Sequence, residues 1–229
     1  LIVADNITNF YGININNGEL IWSKKHSAPF NSQLKILEDK FFVIDFENVL
    51  RCFSIKNGNE IWKFKSTIPL IKSQKKLSIV LSKNLVVFIN SLGEVTGVDN
   101  NSGNLIWQTP TQANLMADNP FMIKYSDLVL QKESLYFSSN SNDFYSINLN
   151  NGIINWSQKI NSTLRPTVID ELIFTITSEG YFVMIDKING NSKGDKPLQN
   201  DTVRREVITT NPLTASDNWP EPNDHSTSA

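Results

Sequence analysis

The sequence predicts an all-β fold, an incomplete β-propeller assembled from four-stranded antiparallel blades. Three observations carry this prediction: one short phrase recurs five times, four of its copies end in Trp, and short runs of alternating polarity fill the intervals between them. Internal repeats of about 40–45 residues are typical of propellers with four strands in each blade. The period therefore indicates the architecture before any individual residue is considered.

The repeated phrase reads small-x-(Asp/Asn/Ser)-x-x-(Asn/Ser)-Gly-x-x-x-Trp. Tryptophan closes the first four copies, at successive intervals of 40, 45 and 49 residues. The fifth copy has Gly194 where the others have Trp. The predicted structural positions are the glycines and tryptophans of these copies: Gly18, Trp22, Gly58, Trp62, Gly103, Trp107, Gly152, Trp156 and Gly190.

Each part of the phrase has a physical role. Asn-Gly and Ser-Gly favour tight turns, because Gly adopts positive φ at little cost and Asn tolerates it. An Asp, Asn or Ser lies four residues before each Gly, where its side chain can accept hydrogen bonds from free N–H groups of the turn. The Trp follows on the next strand, where we expect its ring to cover the join between neighbouring blades. Burial of such a ring contributes at most roughly 4–6 kcal/mol.

Strand-like runs divide residues 1–190 into five blades. The first blade lacks its opening strand and the fifth has no convincing last strand, so three full blades stand between two incomplete ones. Two connections, Ser66–Lys76 and Thr109–Tyr125, are longer than the rest. The predicted blades lie at residues 1–25, 33–64, 77–108, 126–160 and 166–190.

The two ends of the chain differ from the repeats. Residues 191–229 are rich in Thr, Asn, Pro and Asp, and we expect this tail to be disordered or unrelated to the propeller. Trp219 lies there among prolines and does not fit the repeat. The chain begins at Leu1 in a run that already resembles a strand, so we expect an upstream portion of the protein.

Composition argues against several kinds of function. The formal net charge is −2, so the chain has no broad basic field for nucleic acid. Cys52 is the only cysteine, which rules out an intrachain disulfide, and its place in the repeat favours packing over reactivity. With His26 and His225 as the only histidines, no zinc spacing and no Ser-His-Asp arrangement can be drawn. We therefore predict no catalytic, cofactor-binding or metal-binding residues.

The small-x-Asp/Asn-x-x-x-Gly-x-x-x-Trp phrase resembles the tryptophan-docking motif of the quinoprotein-like propellers over residues 1–190. The chain is most similar to the branch of outer-membrane protein assembly factors. That resemblance implies a ring of about eight blades, of which this chain would form about four and a half. It also implies a non-enzymatic scaffold without cofactor, in the periplasm at the outer membrane, which binds the outer-membrane assembly barrel protein as a monomeric subunit of a complex.

The same resemblance suggests where the partner binds. In that branch a Leu-x-Leu-Arg stretch between blades contacts the partner, ahead of a strand that Pro introduces. Ser162-Thr163-Leu164-Arg165-Pro166 occupies such a place after the fourth Trp. Leu164 and Arg165 match the stretch, and Ser162 stands where its first Leu would be. Packing of Leu164 within the blade is the competing interpretation.

Two alternative functions remain open at this point. The first is a fragment of a pyrroloquinoline-quinone-dependent dehydrogenase, a branch that usually carries a vicinal disulfide, a calcium ion and a catalytic Asp. A single cysteine cannot form that disulfide. The second alternative is a ligand-sensing propeller of a larger receptor. The run DNNSGN at residues 99–104 resembles a calcium loop, but it lacks the later Glu and is explained by the blade turn.

Overall fold

A computed structural model describes residues 1–5, 7–67, 76–111 and 124–193, and these residues contain strands, turns and connecting segments but no helix. The strands are β1 (Ile2–Ala4), β2 (Asn9–Ile13), β3 (Leu20–Lys25), β4 (Lys35–Leu37), β5 (Lys40–Ile44), β6 (Val49–Ser54), β7 (Glu60–Lys65), β8 (Ile79–Leu81), β9 (Leu85–Ile89), β10 (Glu94–Asp99), β11 (Leu105–Pro110), β12 (Val129–Gln131), β13 (Ser134–Ser139), β14 (Asp143–Asn148), β15 (Ile154–Gln158), β16 (Thr167–Ile169), β17 (Leu172–Ile176) and β18 (Phe182–Asp186).

Within the described residues, these strands form five antiparallel sheets in which neighbouring strands are consecutive in the chain. Blade 1 contains β1–β3, blade 2 β4–β7, blade 3 β8–β11, blade 4 β12–β15 and blade 5 β16–β18. Blade 1 lacks the short first strand that opens blades 2 to 4, and blade 5 ends at the third. The predicted fold class, an incomplete all-β propeller, is confirmed.

Burial along the strands follows from how the blades pack. Residues 41–44 of β5 are almost fully buried, because neighbouring blades cover both faces of this strand. The outer strand β7 alternates instead: Trp62 and Phe64 are half-buried, while Ile61 and Lys63 are exposed. Alternation with a period of two is the mark of a strand covered on one face. The Trp side of the outer strand therefore faces the next blade.

A β-bulge recurs beside each of these tryptophans. The residue opposite Trp is small, as at the Cys52–Trp62 pair of blade 2, and the register shifts immediately after it. The four shifts lie between Gly12/Ile13, Cys52/Phe53, Gly97/Val98 and Ser146/Ile147. A bulge sets two residues against one and re-aims the side chains beside it. The sequence repeat does not by itself reveal this feature.

Apolar clusters fill the space between successive blades. Phe10 of blade 1 packs against Phe53 of blade 2 with ring centroids 5.1 Å apart. Phe42 of blade 2 shares a buried cluster with Ile79 of blade 3. Tyr136 of blade 4 does so with Ile173, Ile185 and other residues of blade 5. Blades 2 to 4 thus each contribute both faces to the core, one to the preceding blade and one to the following blade.

The structure differs from the sequence-based expectation at the end of blade 5. The composition change assigns residues 191–193 to the tail, yet Ser192 pairs with Ile185 and the N–H of Asp186 donates to Asn191 O at 2.7 Å. Ile154 of blade 4 has the same relation to Ile147, so Ser192 occupies the position that opens the outer strand in blade 4. The expected tail beyond residue 193, Gly194 and Trp219 included, lies outside the described residues, as do the central parts of the two long connections.

Candidate partner-binding site

The four repeat tryptophans make the same hydrogen bond to the next blade. In each case the indole Nε1–H donates to a backbone carbonyl that lies one residue after the Asp, Asn or Ser of the next copy of the repeat. The pairs are Trp22 with Ile55 O at 2.8 Å, Trp62 with Asn100 O at 3.2 Å, Trp107 with Leu149 O at 2.8 Å and Trp156 with Lys187 O at 3.1 Å. This bond ties each of blades 1 to 4 to the blade that follows it.

The same rings lie directly on the glycines of the repeat. A Cβ atom added at Gly103 would stand 2.7 Å from ring carbons of Trp62. Gly58, Gly152 and Gly190 stand in the same relation to the tryptophans that precede them by one blade. Gly18 differs, because no heavy atom lies within 4 Å of its added Cβ. All five glycines have positive φ, between 68° and 76°.

The turn chemistry repeats as closely as the tryptophan contact. In blade 3 the carboxylate of Asp99 accepts hydrogen bonds from the N–H groups of Asn101 and Ser102, at 3.1 and 2.7 Å. The glycine N–H donates to the carbonyl oxygen of residue 99 at 2.9 Å. In the other copies, the backbone N–H two residues later donates an equivalent hydrogen bond to the side chain of Asn14, Ser54, Asn148 or Asp186. Turn bonds thus occupy the carboxylate that gave the DNNSGN run its calcium-like appearance.

Leu164 and Arg165, the two predicted partner-binding residues, lie side by side on an exposed segment between β15 and β16. Leu164 is 53% exposed and Arg165 is also exposed, while Ser162 and Pro166 on either side are buried. Within the described part of the chain, Arg165 forms no hydrogen bond or ion pair. The competing interpretation, burial of Leu164 within the blade, does not match this exposure.

Ser162 fixes the start of this segment. Its hydroxyl lies 2.9 Å from the hydroxyl of Thr175 and donates to Ile176 O at 2.7 Å. Its backbone N–H also donates to Ser139 O of blade 4 at 3.3 Å. The comparison with the Leu-x-Leu-Arg stretch treated Ser162 only as a mismatch and missed this anchoring role. A serine also precedes blades 2 and 4, at positions 32 and 126. This recurrence in the sequence could have indicated that Ser162 has a structural role.

The segment owes its exposure to extra length. Ser32 and Ser126 accept hydrogen bonds from the N–H groups of Ile44 and Ser138, and β4 and β12 start three residues after them. After Ser162, β16 starts five residues later. The connection from Ser162 to β16 therefore contains two more residues than the corresponding connections in blades 2 and 4. The extra residues turn outward as a short protrusion that carries Leu164 and Arg165.

A buried ion pair lies in blade 2, away from this segment. The Arg51 guanidinium contacts Asp45 at 2.8 Å and Glu60 at 2.6 Å, and Asp45 is fully buried. Burial disfavours the arginine charge, but the hydrogen bonds to the two carboxylates outweigh burial and raise the pKa of Arg51. Asp45 also accepts the N–H groups of Glu47 and Val49. The group therefore joins the β5–β6 turn to the outer strand, which is a structural role.

The remaining reactive side chains have structural surroundings. Cys52 is fully buried, and burial raises the pKa of its thiol to about 12. The Nδ1 of His26 lies 3.0 Å from Ala28 O, and its ring packs against Phe30. Across residues 1–5, 7–67, 76–111 and 124–193, no three His, Cys, Asp or Glu side chains are placed to hold a metal ion. In those ranges no helix has the length and apolarity needed to cross a membrane.

The fold and the repeated indole contact define a class of protein: a quinoprotein-like propeller in which each Trp docks on the next blade. Comparison with known proteins identifies the family within this class. The family model described as outer membrane protein assembly factor BamB matches residues 1–193, and the chain belongs to that family. A curated relative, the assembly factor BamB of Shewanella oneidensis, is 22% identical over 185 residues, which is 78% of this chain and 46% of the relative.

Solved structures show the same fold. The crystal structure of BamB from Moraxella catarrhalis superposes with a TM-score of 0.72 at 15% identity and covers 87% of this chain and 61% of its own. A quinohemoprotein alcohol dehydrogenase from Pseudomonas putida HK5 gives 0.59 at 14% identity, over 86% of this chain and 40% of its own. At these identities the likeness concerns the fold alone. The chain spans less than half of its curated relative and less than two thirds of the first structure.

Proposed function

We propose that this chain is part of a non-enzymatic propeller scaffold that binds another protein during outer-membrane protein assembly in the bacterial envelope. Family membership supports the general role. The observation that supports a particular site is the protruding segment with Leu164 and Arg165, exposed and held at both ends by buried residues. The partner we propose is the outer-membrane assembly barrel protein, and the location is the periplasm.

The chemistry of the protruding segment suits a protein partner. Leu164 offers an apolar anchor, and Arg165 offers a planar guanidinium that binds carboxylates or carbonyl groups in pairs. Arginine is enriched among interface residues that carry most of the binding energy. Because Ser162 fixes the segment beforehand, little conformational entropy is lost when the partner binds. The segment therefore behaves as a preformed loop-borne anchor.

A pull-down with the assembly barrel protein tests this site. We expect Leu164→Ala with Arg165→Ala to weaken capture by at least about tenfold, since truncation of interface anchors commonly costs more than about 1.4 kcal/mol. Circular dichroism should remain unchanged because neither side chain is part of a buried cluster. Undiminished capture by the double variant would remove the protruding segment from consideration.

The matched control places the same change on another exposed surface. Ile61 and Lys63 lie on β7 with side chains directed to solvent, 47% and 50% exposed respectively. Ile61→Ala with Lys63→Ala removes a similar apolar and basic pair from a different blade. We expect this control to capture the barrel protein as well as the unchanged chain. Equal losses in both double variants would indicate a general effect of surface charge.

The dehydrogenase alternative gains no support beyond the shared fold. Its structural likeness lies below 25% identity, and the lone Cys52 has no neighbouring cysteine with which to form a vicinal disulfide. Reconstitution of the protein with pyrroloquinoline quinone and calcium is the direct test. A stable quinone absorbance band after removal of free cofactor would favour the dehydrogenase and contradict the scaffold.

A further inference from the structure

Three Asn-Gly pairs of the repeat lie beneath an indole ring of the preceding blade. They are residues 57–58, 151–152 and 189–190, and the rings are those of Trp22, Trp107 and Trp156. In each pair the Asn is exposed to solvent, whereas the Gly is buried. Asn followed by Gly is the sequence in which an asparagine side chain reacts most readily with its own backbone, because Gly places no side chain beside the attacking nitrogen. Each turn thus combines a reactive sequence with an enclosed structure.

The reaction is the loss of ammonia from the Asn side chain, which makes Asn one of the thermolabile residues. The backbone nitrogen of the Gly gives up its proton to water and bonds to Cγ of the Asn. The side-chain nitrogen takes up a proton and leaves as ammonia. The product is a five-membered succinimide ring, which water opens at either carbonyl to give aspartate or isoaspartate. Water is the only co-reactant, and nothing is oxidised or reduced.

The folded turn opposes this reaction through its hydrogen bonds. The N–H of Gly152 donates to Asn148 O at 2.9 Å. A succinimide nitrogen carries no hydrogen, so this bond must break before the ring can close. The Asn side chain is held as well, because Oδ1 of Asn151 accepts the N–H of Ile153 at 2.9 Å. The turn at Gly58 has the same two bonds, so ring closure at either place requires the turn to open.

The docked indole keeps the turn closed. An added Cβ at Gly152 would stand 2.5 Å from Cε3 of Trp107, and one at Gly58 would stand 2.7 Å from Cζ3 of Trp22. With a ring this close, the Gly backbone has no room to rotate while the two blades remain docked. On the same turn, Oγ1 of Thr109 donates to Gly152 O at 2.6 Å. The opening that succinimide formation needs therefore requires the indole to withdraw first.

We propose that Asn57 and Asn151 are latent deamidation sites, which the docked indole of the preceding blade keeps unreactive. Transient withdrawal of the ring frees the turn, and the rate of the reaction then follows the fraction of time for which the turn is open. An isoaspartate product adds a methylene group to the backbone of the turn. The Gly that follows is then displaced from its position beneath the ring. Modification thus converts a transient undocking of two blades into a permanent one.

Peptide mapping by mass spectrometry during incubation at mildly alkaline pH tests the proposal, with the guanidinium-denatured chain as the reference for the unprotected rate. We expect positions 57 and 151 to react at least about tenfold more slowly in the folded chain, because each turn is open for less than about a tenth of the time. Trp107→Phe removes the indole N–H bond to Leu149 O and part of the ring. It should accelerate the reaction at position 151 roughly fivefold and leave position 57 unchanged. Trp22→Phe should have the reverse effect.

The crossed variants separate loss of docking from loss of overall stability, because general destabilisation would open both turns together. Circular dichroism verifies that each variant keeps its strands, and either variant alone suffices for the comparison between positions. Equal acceleration at positions 57 and 151 would contradict local control by the indole. A folded chain that reacts as fast as the denatured chain would show that the turns give no protection. Protection that neither substitution alters would overturn the role of the ring.

Discussion

The indole of Trp62 lies on Gly103 of the next blade so closely that a Cβ atom at residue 103 would stand 2.7 Å from the ring. The sequence places these residues 41 positions apart and in different sheets. Hydrogen bonding of the same ring to Asn100 O, at 3.2 Å, fixes its orientation. The same contact between Trp and Gly recurs at all four interfaces between successive described blades. It is therefore the contact that the blades share in packing against one another.

Removal of a docking ring should destabilise the fold strongly. We expect Trp107→Ala to cost about 3–5 kcal/mol, as for large buried aromatic side chains. Trp107 is the most deeply buried of the four, at 7% exposure, so Trp62→Ala should fall toward the lower end of this range. Urea unfolding followed by circular dichroism measures both. A cost below about 1 kcal/mol for either variant would contradict the docking role.

Two glycine substitutions separate backbone strain from the docking contact. Gly18 and Gly103 share a φ of 74°, but only Gly103 lies under an indole ring. Gly18→Ala should cost about 1–2 kcal/mol from left-handed strain alone. Gly103→Ala should cost a further 1–3 kcal/mol or so, because Trp62 must move aside. Equal costs in parallel denaturation experiments would show that the indole contact has no influence on stability.

The buried ion pair of blade 2 gives a third prediction. Asp45→Ala leaves the Arg51 charge with Glu60 alone and removes the acceptor of two turn N–H groups, so we expect a loss of about 3–5 kcal/mol. Asp45→Ala with Arg51→Met removes both charges of the more deeply buried pair and should cost less than the sum of the single changes. Urea unfolding of the two single variants and the double variant measures this coupling. Strict additivity would mean that the pair is not energetically coupled.

Acid should weaken the repeat turns. Hydrogen bonds from the backbone N–H and the hydroxyl of Ser102 lower the pKa of Asp99 below 3.8, and backbone N–H groups of residues 188 and 189 lower that of Asp186. A carboxylate with a depressed folded-state pKa contributes stability above its unfolded pKa and loses it as pH falls through the folded value. We therefore expect denaturation midpoints to decline below pH 3.8, partly through these two groups.

Asparagine substitution checks this assignment. Asn14 and Asn148 already occupy the position of Asp99 in blades 1 and 4 and make the same turn bond. Asp99→Asn with Asp186→Asn should therefore fold and lose less stability between neutral pH and pH about 2 than the unchanged chain. An unchanged pH profile in the double variant would place the acid sensitivity elsewhere.

The sequence predicts much of this fold because the turns and strands of the repeat depend on residues that are close together in the chain. Asn189-Gly190 predicts a turn even though its Trp is missing, since turn type depends on residues adjacent in the chain. The ion pair of Arg51 could not be predicted in this way. It requires a turn residue and an outer-strand residue, Asp45 and Glu60, to meet on one face of the sheet after β6 has paired with both β5 and β7.

The candidate site was only partly predictable. Leu164 and Arg165 could be selected by resemblance, but their exposure depends on the distance between two anchor points in space. Ser162 defines the first anchor through its bond to Ile176 O, and β16 defines the second.

Photo-crosslinking in living cells tests the central functional claim most directly. A photoreactive phenylalanine analogue at position 164 of the protein, expressed in its native host, should crosslink to the outer-membrane assembly barrel protein. The same analogue at position 61, which is equally solvent-directed on β7, should not. Crosslinks to that barrel protein from position 61 alone, or from neither position, would contradict a scaffold that binds its partner through Leu164 and Arg165.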